Sequence, residues 1–192
     1  MGTAFGIATG QLATAAHVVG HSDDALVGVL PQSSSPSAYQ DTTNNQIQTV
    51  PLKLHAFDPV RDIAVLACEG LTMASQSPLG STDDTPPGAP VVTHGFPHAD
   101  TGRLVLTQHA ALVGARVLLG TAGAKTKHIV LNIQTRPGQS GSPVMANNII
   151  CAMVIGAYRP AGGSGIILGN IDPATLHQTT HAVSAEYIKG ML

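Results

Sequence analysis

The stretch RPGQSGSPV, Arg136 to Val144, sets two glycines, two serines and two prolines among apolar strand-like runs. One reading is a plain turn. The other is a tight loop that displays Ser140 as a nucleophile between Gly138 and Gly141. The rest of the chain decides between them.

Two further stretches bear on that choice. TAAHVVG (14–20) places His17 between a strand and a Val-Val pair, and DPVRDIAVLAC (58–68) opens an apolar strand with Asp62. Taken singly, the histidine reads as a structural side chain and the acid as a solvated strand end. Taken together, His17, Asp62 and Ser140 follow one of the chain orders used for an orienter, base and nucleophile. Their spacing suits His17 and Asp62 on one barrel and Ser140 on a second, facing across a cleft.

The composition fits such a protein. Of 192 residues, 43% are hydrophobic and only 10% charged, which marks a folded chain. Gly 21 and Pro 13, set between short Val/Ile/Leu runs, favour many strands joined by turns. A net charge of -2 gives no support to nucleic-acid or anionic-membrane binding. Cys68 and Cys151 lie in apolar runs and read as buried thiols. No apolar stretch approaches the ~20 residues of a membrane helix, and MGTAFGIATG shows no signal-peptide pattern.

Strands are expected at 3–8 and 11–16 around a Thr9-Gly10 turn, at 25–30, within 48–58 and at 62–68. PQSSSPSAYQDTTNNQ (31–46) reads as a surface loop or long hairpin tip. Residues 70–89 form an irregular connector. PVVTHGF, RLVLTQHAALVGARVLL, KHIVLNI, PVMANNIICAMVIGAY and GIILGNI supply the later strands, with a hairpin turn at Asn147-Asn148. Asp172-Pro173 resembles a helix cap. THAVSAEYIKGML predicts a helix whose apolar face carries Val183, Tyr187, Ile188 and Met191. The expectation is an all-β fold of two six-stranded antiparallel β-barrels (1–85 and 86–175) with a short C-terminal helix within 176–192.

The chain resembles the trypsin/chymotrypsin-like serine protease superfamily. Its pattern is nearest to bacterial trypsin-like and HtrA (Deg)-type protease domains. GTAFGIATGQLATAAHVV, RDIAVLAC, LGSTDDTPPGAPVVTHGFP and RPGQSGSPV carry the likeness. It implies a serine endopeptidase with His17, Asp62 and Ser140 catalytic and the backbone N–H groups of Gly138 and Ser140 as oxyanion hole. Protein or peptide is the implied substrate, without cofactor or metal. The i, i+4 histidine pairs His17/His21, His94/His98 and His177/His181 all lack the Glu that follows the first His of a zinc motif, and HGFPH, with its Gly and Pro, is no helix. GGSG (162–165) reads as a turn, not a phosphate loop.

The resemblance also has departures. Gln139 stands where trypsin-like zymogens carry an Asp that pairs with a freed N-terminal amine, so no activation of that kind is expected. Ser142 replaces a second Gly, and its small size predicts tolerance. Gln134, Thr135, Ile155, Gly156, Ala157 and Tyr158, with residues 165–167, would line the primary pocket. The lack of an acid at Gln134 argues against Arg/Lys preference; a Glu or Gln side chain and a small apolar one stay equally open. HtrA-type enzymes often add a peptide-binding domain and trimerise through an N-terminal extension. Neither segment occurs in this sequence, so a monomer is expected. A viral polyprotein-processing enzyme and a catalytically silent binding module are the rival readings.

Overall fold

The computed structural model describes residues 1–33, 35, 37–70, 77–158 and 179–192, with Tyr158 described by its backbone alone. Residues 159–178 lie outside that set. So do the expected strand GIILGNI, the cap at Asp172-Pro173, the GGSG turn, the pocket segment 165–167 and His177.

Six strands form the first half: β1 (Phe5–Ala8), β2 (Gln11–Ala15), β3 (Val27–Leu30), β4 (Gln48–Pro51), β5 (Lys53–Asp58) and β6 (Ile63–Ala67). They form a four-stranded sheet in the order β1-β2-β6-β5 and a separate β3-β4 ribbon. A bond from Leu52 N to Leu26 O, 3.0 Å, ties the strand pair beyond its own ladder. The polar run 31–46 falls in the connection between β3 and β4, where Tyr39 is fully exposed.

The second half is β7 (Pro90–Gly95), β8 (Thr107–Thr121), β9 (Ala124–Leu131), β10 (Pro143–Ala146), β11 (Ile149–Tyr158) and β12 (Thr179–Ser184). These close into a six-stranded barrel, β10-β11-β12-β9-β8-β7. Closure satisfies both edges, so no strand in it is left with an unpaired ladder. Asn147 and Asn148 both take positive φ, 50° and 63°, which is the backbone of a two-residue hairpin turn.

Side-chain alternation divides the core. In β6, Ile63 and Val65 face one cluster with Ile7, Ala13, Ala15, Ile150, Met153, Val183 and Ile188, while Leu66 faces another with Leu12, Leu52 and Cys68. The first cluster draws on both halves and joins them. A third, including Val91, Val113, Ile129, Leu131, Val144, Cys151 and Ala182, fills the barrel. Both cysteines are free and buried.

The described end of the connector, from residue 77 onward, is fastened to the barrel. Gly80 N donates to Ile150 O at 2.9 Å and Ile150 N to Pro78 O at 2.9 Å. A single 3-10 turn, Thr82–Asp84, follows, and Lys127 Nζ clamps Asp83 at 2.6 Å and Glu186 at 3.2 Å.

One expectation needs correction. The segment 176–192 is not a continuous helix: Thr179–Ser184 is β12, and only Glu186–Lys189 is helical (α2). β12 pairs with β11 on one side and β9 on the other, and Thr180, Ala182, Val183 and Ser184 are all fully buried. Ladder bonds on both edges and burial on both faces outweigh a helical spacing of apolar residues. The apolar face itself was read correctly, since Val183, Tyr187, Ile188 and Met191 all pack on the shared core.

Candidate active site

β2 delivers His17. After Ala15 the chain makes one helical turn, α1 (Ala16–Val19), closed by Gly20 at φ +76° with a bond from Gly20 N to Ala16 O, 2.9 Å. β6 runs antiparallel to β2 with Ala15 opposite Ile63, which sets Asp62 beside His17. The DPVRD turn that ends at Asp62 is self-built. Asp58 Oδ1 accepts from Val60 N and Arg61 N, each at 3.0 Å, and Oδ2 accepts from Arg61 at 2.6 Å. Asp62 itself sits at φ +58°, a conformation that Asp tolerates better than most residues.

Asp62 grips His17 twice. Oδ1 accepts from the His17 backbone N–H at 2.8 Å, and Oδ2 meets the imidazole Nδ1 at 2.6 Å. With Nδ1 carrying the proton toward the carboxylate, Nε2 presents a lone pair. The hydrogen bond from Asp62 raises the His17 pKa above its ordinary 6.5, against the opposing effect of partial burial.

The sequence PGQSG encodes the opposing loop as two linked turns. Gln139 N donates to Arg136 O at 3.1 Å, with Pro137 second and Gly138 third at φ +94°. Ser142 N donates to Gln139 O at 3.0 Å, with Ser140 second and Gly141 third at φ +87°. Both have the φ signs of a type II turn, which is why glycine recurs at this spacing. At Gly138 a Cβ would also collide with Phe96 O and lie 2.9 Å from Ala99 N.

The peptide units of this loop are fixed one by one. Pro137 O accepts from His98 N at 2.7 Å, which orients the Gly138 N–H. Gly138 O accepts from Thr3 Oγ1 at 2.8 Å. Gln139 O is held by Ser142, which orients the Ser140 N–H. Ser140 O accepts from Thr3 N at 2.8 Å, and Gly141 N donates to Val154 O at 2.7 Å. Among the described residues, neither the Gly138 nor the Ser140 N–H has a protein acceptor.

The loop docks on the turn that carries His17. A Cβ on Gly141 would lie 3.1 Å from Ala15 N and 2.5 Å from Thr14 Oγ1. One on Gly2 would lie 2.9 Å from Ser140 O and 2.5 Å from a Val18 methyl. Among the described residues no hydrogen bond joins the imidazole to Ser140 Oγ. In unliganded sites such bonds are commonly long and tighten on substrate binding.

Thr3 was not singled out by sequence reading, yet it is buried and holds both ends of this loop. Its Oγ1 also accepts from Phe96 N at 3.2 Å, and its carbonyl accepts from Thr14 Oγ1 at 2.7 Å. Ser142 fits because Gly95 faces it: a Cβ there would collide with Ser142 Oγ and stand 3.1 Å from Thr3 Oγ1. Gly95→Ala is therefore expected to cost about 1–3 kcal/mol of stability by overpacking. Ser142→Gly should recover part of that loss in a double-mutant cycle read by urea denaturation; full additivity would refute the contact.

The expected pocket residues gather around one strand. Thr135 N donates to Thr180 Oγ1 at 3.2 Å, and Thr180 Oγ1 donates to Ile133 O at 2.7 Å. Thr180 lies opposite Ala157 in the β11–β12 ladder, with Gly156 opposite His181 and Tyr158 opposite Thr179. The ladder slips between Val154 and Gly156, beside Ile155, and among the described residues no atom lies within 4 Å of where a Gly156 Cβ would stand. Gln134 is exposed. Thr180 is the second residue missed by sequence reading; it lay in the stretch read as helix.

Three further histidines have described contacts: His94 Nε2 bonds Gln108 Oε1 at 3.0 Å, His21 meets Phe57 edge-on at 5.1 Å, and His128 Nδ1 lies 3.1 Å from Thr126 O, with burial lowering the His128 pKa. No described helix is long and apolar enough to cross a membrane.

Comparison with known proteins now bears on this geometry. A search of curated proteins gives no match. Among solved structures, the MamO protease domain from Magnetospirillum magneticum superposes with a TM-score of 0.68 at 15% identity, over 100% of this chain and 88% of that one. The active form of Rv3671c protease from M. tuberculosis gives 0.66 at 21% identity, over 100% and 71%. The HtrA-type protease AlgW with a decapeptide gives 0.68 at 18% identity, over 99% of this chain and 50% of that one. At these identities the likeness is one of fold, that of chymotrypsin-like proteases. The model of the trypsin-like peptidase domain matches residues 2–149, well over half the chain and the stretch that holds His17, Asp62 and Ser140. With a family model spanning that stretch and the fold shared over the whole length, the chain belongs to the trypsin-like peptidase domain family.

Proposed function

We propose that the protein is a serine endopeptidase that hydrolyses peptide bonds through an acyl-enzyme. The observation that carries this reading is the two-point grip of Asp62 on His17 beside a loop with two uncommitted N–H groups. Ser140 Oγ attacks the peptide carbonyl carbon while its proton passes to His17 Nε2. The C–N bond then breaks, the amine leaves with that proton, and Ser140 is left as an ester. Water, deprotonated by His17, cleaves the ester and returns the hydroxyl.

Asp62 fixes the tautomer and stabilises the imidazolium, while the N–H groups of Gly138 and Ser140 receive the oxyanion. Residues 1–85 contribute His17 and Asp62, and 86–192 contribute Ser140 and the pocket. AlgW, the HtrA-type protease above, was crystallised with a decapeptide, which supports a peptide substrate for this fold. Thr135, backed by Thr180, suits a side chain that accepts or donates a hydrogen bond; Ile155 and Ala157 suit a small apolar one. Cleavage of a peptide library separates these.

The test is a fluorophosphonate probe followed by peptide mapping. Label on Ser140 that tracks peptidase activity supports the enzyme. A wild-type protein that neither labels nor cleaves any library peptide points to a binding module instead.

Catalysis needs neutral His17, and the Asp62 bond favours the protonated form. The acid limb of kcat/KM should therefore turn above pH 6.5, and activity should be lost as pH falls through that point. Imidazole resonances of His17 check this directly: a midpoint below 6.5 would contradict the Asp62 contact. The same raised pKa makes the contact's contribution to stability full below 6.5 and lost as pH rises through the folded-state value.

A further inference from the structure

We propose that His109 is a positioning residue for the oxyanion loop, acting through the buried side chain of Gln139; the inference rests on the peptidase reading above. Gln139 stands between the two N–H donors, Gly138 and Ser140, and its side chain is fully buried. A buried primary amide needs partners for its oxygen and its nitrogen. Oε1 accepts from Arg136 N at 2.7 Å, which fixes the orientation of the amide. Nε2 then points at His109 Nδ1, 2.9 Å away. Since Nε2 can only donate, His109 Nδ1 must accept, and the imidazole proton resides on its Nε2.

His109 is a firm platform for this. It lies on β8, paired with Thr93 of β7 inside the closed barrel. The result is a side-chain strut from the barrel wall to the middle of the loop. Gln139 O, meanwhile, is bonded to Ser142 N, and the same peptide unit carries the Ser140 N–H. If the amide loses its acceptor, a buried N–H is orphaned, and the side chain must leave its slot or turn. Either movement rotates the peptide units that aim the two donors. A neutral imidazole thus holds this position from within the chain.

The test compares His109→Leu, which removes the acceptor, with His109→Asn, whose Oδ1 can stand where Nδ1 stood. The strut acts on the transition state more than on ground-state binding. His109→Leu should lower kcat at least about tenfold with KM changed less than about twofold. His109→Asn should return kcat to within about threefold of wild type. The amide resonances of Gly138 and Ser140 are recorded for all three proteins and should shift or broaden only in the Leu variant. Should His109→Leu fail to fold, Gln139→Met severs the contact from the other end together with the Arg136 N bond, and a loss there counts for the strut only if His109→Asn keeps kcat and both resonances.

An unchanged kcat and unchanged resonances in the Leu or Met variant would overturn the proposal while leaving the peptidase intact. Equal loss in Leu and Asn variants would also overturn it, as a packing effect only. A wild type that neither labels nor cleaves would defeat the peptidase reading instead. The resonances of Gly138 and Ser140 would then still decide whether His109 sets the loop.

Discussion

On the proposed acyl-enzyme mechanism, Ser140→Ala should reduce kcat by about 10⁶-fold and leave KM nearly unchanged, because the oxygen that would form the ester is gone while the binding surfaces stay. The removed group is small and the site only half-buried. Its backbone role also survives: Ser140 O still accepts from Thr3 N, and the Ser140 N–H is still aimed by its own peptide unit. The variant should therefore fold with wild-type stability within about 0.5 kcal/mol. Covalent labelling should vanish. Combining it with His17→Ala should add almost nothing, since nucleophile and base act as one unit. The measurement is single-turnover cleavage of an optimised peptide with all three proteins. Additive losses in the double variant would show that His17 and Ser140 do not work on the same proton. Residual turnover above that of water should persist in Ser140→Ala, because Gly138 and Ser140 N–H groups still stabilise the oxyanion.

The parts of this site legible in the sequence are those made by local chemistry. Pro137-Gly138 and Ser140-Gly141 announce turns because only glycine takes the third position cheaply, and both glycines have positive φ. Singly, His17 reads as a structural side chain and Asp62 as a solvated strand end; only the chain order His17, Asp62, Ser140 and the family resemblance single them out, and in the structure the first two share two hydrogen bonds. Thr3, Thr180 and His109 were not legible. Each is an ordinary residue in a strand or beside one, and its role comes from a partner far along the chain. Thr3 reaches Gly138, Thr180 reaches Ile133 and Thr135, and His109 reaches Gln139. No local pattern distinguishes a threonine that holds a distant carbonyl from one that merely favours a strand.

The misread C-terminal segment has a related cause. Val183, Tyr187, Ile188 and Met191 share a face at helical spacing, and they do share a face of the shared core. The change from strand to helix occurs at Ala185, whose N–H bonds to Cys151 O at 3.0 Å. That bond exists only once β12 has paired with β11. Over a dozen residues, a strand that hands over to one helical turn has the same apolar positions as a longer helix, and long-range pairing decides between them. The strand expectations in 90–158 fared better because they rest on apolar runs bounded by turn residues, and β8 and β9 extend over 15 and 8 residues.

Asp62→Asn carries the second large effect, a fall of about 10⁴-fold in kcat at neutral pH, with the fold intact. Asparagine is nearly the same shape, and Asn also tolerates the positive φ of 58° at this position. One of its atoms can still accept from the His17 backbone N–H, as Oδ1 does now at 2.8 Å. The other must then be the amide nitrogen, a donor, facing Nδ1 where Oδ2 stood at 2.6 Å. His17 can meet a donor only by presenting a lone pair at Nδ1, which moves its proton to Nε2. That proton then points toward Ser140, and the base is blocked by its own tautomer. The loss of the carboxylate also removes the main cause of the raised His17 pKa, so the imidazole midpoint should fall relative to wild type. Kinetics and titration thus make a joined forecast: slower turnover together with a lower midpoint and a switched tautomer, the latter visible in the nitrogen shifts of His17. A large rate loss with the wild-type tautomer retained would mean that Asp62 acts by charge alone. Near-wild-type turnover would remove it from the mechanism and leave its two bonds to His17 as architecture.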